Sequence, residues 1–103
     1  MANVCDNKFY IYSEESVDSI KVKLTELLDT TLEGYIDYSD YNIIEGWFSS
    51  RWVFPTDLFK DFFNEFNDDS IYMRCLSEEY GCGYVAMNIF ENNGWKDEQC
   101  FNL

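Results

Sequence analysis

An α+β domain, one sheet with two helices packed on one face, is the fold class this sequence predicts. Three observations carry the prediction. Aromatic and β-branched runs with strand character alternate with two stretches of helical periodicity. The only proline, Pro55, stands at the head of the second helical stretch. A length of 103 residues with 47% hydrophobic content supplies apolar surface for a single core.

The elements follow in order. Lys8–Tyr12, "KFYIY", reads as a strand, and the "SEES" after it offers Ser13 or Ser16 as a helix N-cap. From Val17, apolar residues recur at Ile20, Leu24, Leu27 and Leu28, so one helical stripe faces the core through about Leu28, with Asp18 placed to complement the helix dipole. Gly34 and its acidic neighbours break that period. In the "GYIDYSDY" that follows, Ile36 and Tyr38 alternate against Tyr35 and Asp37, as expected of a strand exposed on one face. A turn near Asp40–Asn42 leads to a partner strand, "IIEGWFSSRW".

Pro55 suits the first turn of a second helix, where its missing N–H has no partner to lose. Leu58, Phe59, Phe62, Phe63 and Phe66 then form a wide apolar stripe, and "NDD" ends it. "SIYMRCLS" and "YVAMNIF" read as two further strands, Asn93-Gly94 as a tight hairpin turn, and "WKDEQCF" as a short returning edge strand. The order is β-α-β-β-α-β-β with an extra C-terminal hairpin, and its first six elements follow the ferredoxin-like split βαβ sequence. The whole chain, residues 1–103, is read as one domain.

Charge narrows the function. Twenty acidic residues against seven basic ones, with no histidine, give a formal net charge of −13. Such a surface repels nucleic acid and anionic membranes and attracts basic proteins. Aromatic residues make up 19% of the chain, too many for a disordered acidic tail. Without a membrane-length apolar run or a leader pattern, the expected location is the host cytoplasm.

The four cysteines, Cys5, Cys75, Cys82 and Cys100, include no C-x-x-C pair, so reduced thiols are expected and no cofactor or metal. "SEEYGCGYVAM" (Ser77–Met87) sets Cys82 between two glycines. The glycines fit a hairpin connection needing positive φ, while Glu78 and Glu79 raise rather than lower a neighbouring thiol's pKa. A turn is expected there rather than a reactive centre.

"MANVCDNKFYI", "FSSRWVFP" and "EEYGCGYVAM" occur in that order along the chain. Together they resemble the signature segments of the YubB-like, ferredoxin-fold proteins carried by phages and plasmids. Asn3, Cys5, Asn7, Trp52, Pro55, Gly81 and Tyr84 match the pattern, while Val4, Phe54 and Ala86 depart from it. The resemblance implies a ferredoxin-like fold and a mobile-element origin, and carries no catalytic activity with it.

The acids form clusters in sequence. Asp57, Asp61, Glu65 and Asp68, at spacings of 4, 4 and 3, are expected to stack along the second helix opposite its phenylalanines. Asp37, Asp40 and Glu45 surround the first hairpin turn, where Asn42 stands in place of the glycine a calcium loop requires. Asp69, Glu78 and Glu79 add further charge. Trp47 and Trp52, five residues apart on a strand, are expected on opposite faces, so at least one lies outside the core and both are candidates for partner contact, with Arg51 to pair with acids or orient a partner.

The expected function is a phage-encoded inhibitor of a host defence complex, of anti-CRISPR type. It would act as a DNA mimic whose carboxylates occupy a basic nucleic-acid-binding surface, such as that of a CRISPR effector, with no direct nucleic-acid or membrane contact. The chain itself is expected to be a monomer or weak homodimer. The alternative is a non-enzymatic scaffold that self-associates through a sheet edge or aromatic patch. A carboxylate-pair hydrolase ranks third, because no spacing singles out a pair.

Overall fold

The computed structural model describes residues 4–51, 55–79, 81, 83–96 and 99–102. Nine elements follow one another: β1 (Val4–Tyr12), α1 (Val17–Thr30), β2 (Glu33–Ser39), β3 (Ile43–Arg51), α2 (Thr56–Asn64), β4 (Tyr72–Glu79), β5 (Tyr84–Glu91), β6 (Gly94–Trp95) and β7 (Gln99–Asn102). The strands form one antiparallel sheet in the order β2-β3-β1-β4-β5-β6, and β7 also pairs with β5. The fold is α+β. Strand β1 lies inside the sheet between β3 and β4, which draws the loops at its C-terminal end together.

Strict alternation decides which face is buried. In β1, Cys5, Asn7, Phe9 and Ile11 point inward, and in β4 their counterparts are Met73, Cys75, Ser77 and Glu79. Both helices cover this face. Val17, Ile20, Leu24 and Leu28 of α1 and Phe59, Phe62 and Phe63 of α2 join Phe9, Ile11, Ile44, Phe48, Met73 and Phe90 in one cluster. Both apolar stripes read from the sequence are therefore the packed ones, although Leu27, Leu58 and Phe66 are only half-buried. Gly46 makes a close approach possible: a Cβ there would lie 2.6 Å from Cζ of Phe9 and 2.2 Å from the Tyr35 carbonyl oxygen.

Several local expectations shift. Pro55 is the N-cap of α2 rather than its first helical residue, and its carbonyl accepts from Phe59 N–H at 3.3 Å. Ser16 occupies the N-cap position of α1 but its side chain makes no capping hydrogen bond; Ser13 instead shapes the turn before the helix, its Oγ accepting the Ser16 N–H at 2.9 Å. In β2 the register slips between Ile36 and Tyr38, so Tyr35 and Tyr38 both pair with outer-face residues of β3, Trp47 and Glu45. The simple alternation expected for this strand is broken by that bulge. As β2 is an edge strand, the bulge and exposed Asp37 also blunt it against pairing with another chain.

The last tight hairpin turns one residue earlier than its sequence signal. Asn92 and Asn93 hold φ of 53° and 64°, and Gly94 already pairs with Glu91. Two successive positive φ values are what a turn matching the strand twist needs, and asparagine tolerates them. Trp95 of β6 donates from Nε1 to the Thr56 carbonyl at 2.9 Å, fastening this edge to α2. The connection after β4 carries Gly83 at φ 65°, and Glu79 accepts the Gly81 N–H at 2.8 Å. Cys82 lies outside the described residues.

Candidate functional site

Because β1 ends beside the starts of β3 and β4, four connections meet at one end of the sheet: residues 13–16, 40–42, 67–71 and 92–93. Hydrogen bonds lace them together. Ser13 N–H donates to the Asn42 carbonyl and Asn42 Nδ2 donates back to the Ser13 carbonyl, each at 3.0 Å. Ser13 Oγ donates to Asp68 at 2.6 Å, and Glu14 N–H donates to Ser70 Oγ at 2.9 Å. Asn93 Nδ2 reaches Asp69 at 2.7 Å. Loops tied in this way hold the backbone beneath their exposed side chains in place.

That end is crowded with carboxylates. Glu14, Glu15, Asp40 and Asp69 are exposed, and Asp68 and Glu91 are half-buried beside them. No lysine or arginine occurs among residues 13–16, 40–43, 67–72 and 91–94. Lys96 does reach Glu91 in an ion pair. Tyr12, Tyr38, Tyr41 and Tyr72 stand among the acids, Tyr41 at the tip of the β2–β3 turn being 95% exposed.

Two of the acids shape the loops themselves. Asp40 Oδ1 accepts the N–H groups of Asn42 and Ile43, each at 2.9 Å, and its other oxygen accepts from the Tyr38 hydroxyl at 3.0 Å. The Asn42 N–H and the Tyr38 hydroxyl hold the Asp40 pKa below its ordinary value. For Asp68, partial burial works to raise the pKa, but hydrogen bonds from Ser13, Ser70 and Ser16 outweigh it and bring the group from 3.8 down to about 2.

A group whose pKa is depressed on folding adds stability above its unfolded pKa and loses it as pH falls through the folded one. Wild type is therefore expected to be more stable than Asp68→Asn at neutral pH, with the gap closing between about pH 4 and pH 2. Urea midpoints of both proteins across that range check it. A constant gap would show that Asp68 ionisation does not matter to the loop.

The residues singled out from the sequence divide between several surfaces. Asp40, Asp68 and Asp69 come together at the loop end, with Asp37 nearby in the β2 bulge. Asp57 and Asp61 are exposed on α2, in the helical layer. Glu65 sits at that helix's C-cap and pairs with Lys23 at 2.6 Å. The stripe expected to run on to Asp68 stops there, because the helix ends at Asn64 and Asn67 adopts a left-handed φ of 49°.

Glu45, Trp47 and Glu78 lie on the outer face of the sheet, Trp47 against Tyr35 at 5.7 Å between rings and Glu78 directly across from Asp6. Glu79 points to the inner face and is 5% exposed. Trp52 lies outside the described residues, as does the side chain of Arg51.

Glu14, Glu15 and Glu91 carry no signal in the sequence that marks them as candidate site residues. "SEES" carries an equally good capping signal and Glu91 belongs to a hairpin, so only the central placement of β1 reveals that they share a surface. Elsewhere the chemistry is quiet. Burial pushes the Cys75 thiol up to about 12, leaving it protonated at neutral pH, and Cys5 is equally buried. Among the described residues no cluster of three His, Cys, Asp or Glu is placed to hold a metal ion. Nor is any described helix long and apolar enough to cross a membrane.

Fold and site together define an α+β domain with an open antiparallel sheet and a hydrogen-bonded, carboxylate-rich end. Comparison with protein-family models, with curated proteins and with solved structures gives no match.

Proposed function

We propose that this chain inhibits a host nucleic-acid-binding defence complex, in the manner of an anti-CRISPR DNA mimic, by seating its acidic loop end on that complex's basic surface. The observation that supports this most is the convergence of Glu14, Glu15, Asp40, Asp68, Asp69 and Glu91 on loops that hydrogen bonds already hold in place. Loops whose backbone is held in advance lose little backbone freedom on binding. A net charge of −13 speeds encounter with a basic groove, and the groove's counterion release adds to affinity.

The same reading places the chain among ferredoxin-like domains of the YubB-like type, with β5, β6 and β7 appended beyond the four strands in the order β2-β3-β1-β4. Its mobile-element setting, and hence the choice of a defence complex as target, rests on that resemblance. The acids of α2 are left out of the contact surface, because they lie in the helical layer rather than at the loop end.

The test is capture of a partner from host lysate on the immobilised chain, followed by competition with a DNA duplex for the captured protein. Inhibition is expected to weaken about tenfold or more as salt rises from about 50 to about 300 mM. Competition that stays flat with salt, or a captured partner that binds no nucleic acid, would contradict the proposal.

A further inference from the structure

Just below the acidic loops, the outer face of the sheet forms a groove of ≈ 590 Å³ whose walls include Tyr10, Tyr12 and Tyr72, with Glu14, Asp69 and Glu91 at its border. Its volume falls within the range that holds a side chain or small ligand. Tyr12 and Tyr72 are directly opposed across β1 and β4 and both are half-exposed, so their rings line the groove without belonging to the packed core. Tyr10 meets Tyr72 edge-on at 6.3 Å. Arg74 already lies over Tyr10, its Cζ 4.7 Å from the ring centre. One guanidinium is thus accommodated on this face by a tyrosine.

We propose that this groove takes an arginine side chain from the basic partner, stacked on Tyr12 or Tyr72 and hydrogen-bonded to the bordering carboxylates. The choice of a protein occupant rests on the function proposed above. Charge complementarity selects a cation, because Glu14 and Asp69 border the groove with no ion pair of their own among the described residues, Glu91 beside them is paired with Lys96, and the one basic residue of the lining, Arg74, lies over Tyr10. Flat aromatic faces beside carboxylates select arginine over lysine, since guanidinium stacks on a ring and offers a planar fork of donors where an ammonium offers a point charge.

The full chain would be titrated against a fluorescent arginine octapeptide and, for comparison, a lysine octapeptide. The arginine peptide is expected to bind more tightly, and Tyr12→Ala or Tyr72→Ala to weaken it about fivefold or more. Tyr72→Phe should keep wild-type affinity, because the ring rather than the hydroxyl makes the contact. Thermal melts would confirm that each variant is folded, and having two separate tyrosines keeps the test decisive should one variant fail to fold.

Equal binding of the two peptides, no binding by wild type, or a Tyr72→Phe loss as large as that of Tyr72→Ala would overturn the groove. Failure of the groove and failure of the function are separable. If wild type and both alanine variants compete equally with DNA for the captured partner, the groove falls and the function stands. If wild type binds the arginine peptide as expected but competes with no nucleic acid, the function falls and the groove stands.

Discussion

Phe59→Ala is expected to destabilise the protein by about 3–5 kcal/mol, the largest effect of any single truncation proposed here. Phe59 has no exposed surface. Its ring centre lies 5.4 Å from that of Phe48 in the sheet, and 6.1 and 6.0 Å from those of Phe62 and Phe63 on its own helix. Truncation removes the side chain that couples α2 to β3 and leaves a cavity lined by aromatic rings, which cannot easily collapse. Since small domains are stable by about 5–15 kcal/mol in total, the variant would stand close to unfolding at room temperature. Urea denaturation measures this, and a loss below about 1 kcal/mol would mean that α2 is not fixed through Phe59.

Asn7→Ala is expected to cost about 2–4 kcal/mol, from the loss of its hydrogen bonds to Phe48, Ser50 and Ser77 at about 0.5–1.5 kcal/mol each. The side chain is fully buried in β1 and ties three strands together. Its Nδ2 donates to the Phe48 carbonyl at 3.1 Å and to Ser50 Oγ at 3.0 Å in β3, and its Oδ1 accepts from Ser77 Oγ at 2.6 Å in β4. Asn7→Asp should be worse than alanine, because it removes the donor and buries a carboxylate among acceptors. Equal stability of wild type and Asn7→Ala would show that the polar knot contributes nothing net.

Much of the fold was readable because period and packing coincide. The α1 spacing of Val17, Ile20, Leu24 and Leu28 is the set that the structure buries, and the phenylalanine stripe of α2 needed no knowledge of its partners. Boundaries were less readable where competing local signals tie. Asn93-Gly94 and Asn92-Asn93 both make good turns, and only the register of β5 with β6 decides between them. The bulge in β2 leaves no mark in its alternating pattern, because it is imposed by pairing with β3.

The site was readable only in part, for a related reason. Spacing along one helix can be counted, which groups Asp57, Asp61, Glu65 and Asp68, but the count holds only while the helix lasts, and it ends at Asn64. The grouping at the loop end is long-range. Glu14, Asp69 and Glu91 border one groove, and Asp40 lies at the same end of the sheet, because β1 is placed inside the sheet, a property of the strand order that no local window contains.

The central claim, that the loop end and not the charge total makes the contact, is tested most directly by two variants of equal charge. One carries Glu14→Gln, Glu15→Gln, Asp69→Asn and Glu91→Gln; the other carries Glu26→Gln, Asp29→Asn, Asp57→Asn and Asp61→Asn in the helical layer. Measured by DNA competition on the captured partner, the first is expected to lose about a hundredfold in potency and the second to stay within about threefold of wild type. Equal losses in both, or a larger loss in the helical-layer variant, would contradict the account.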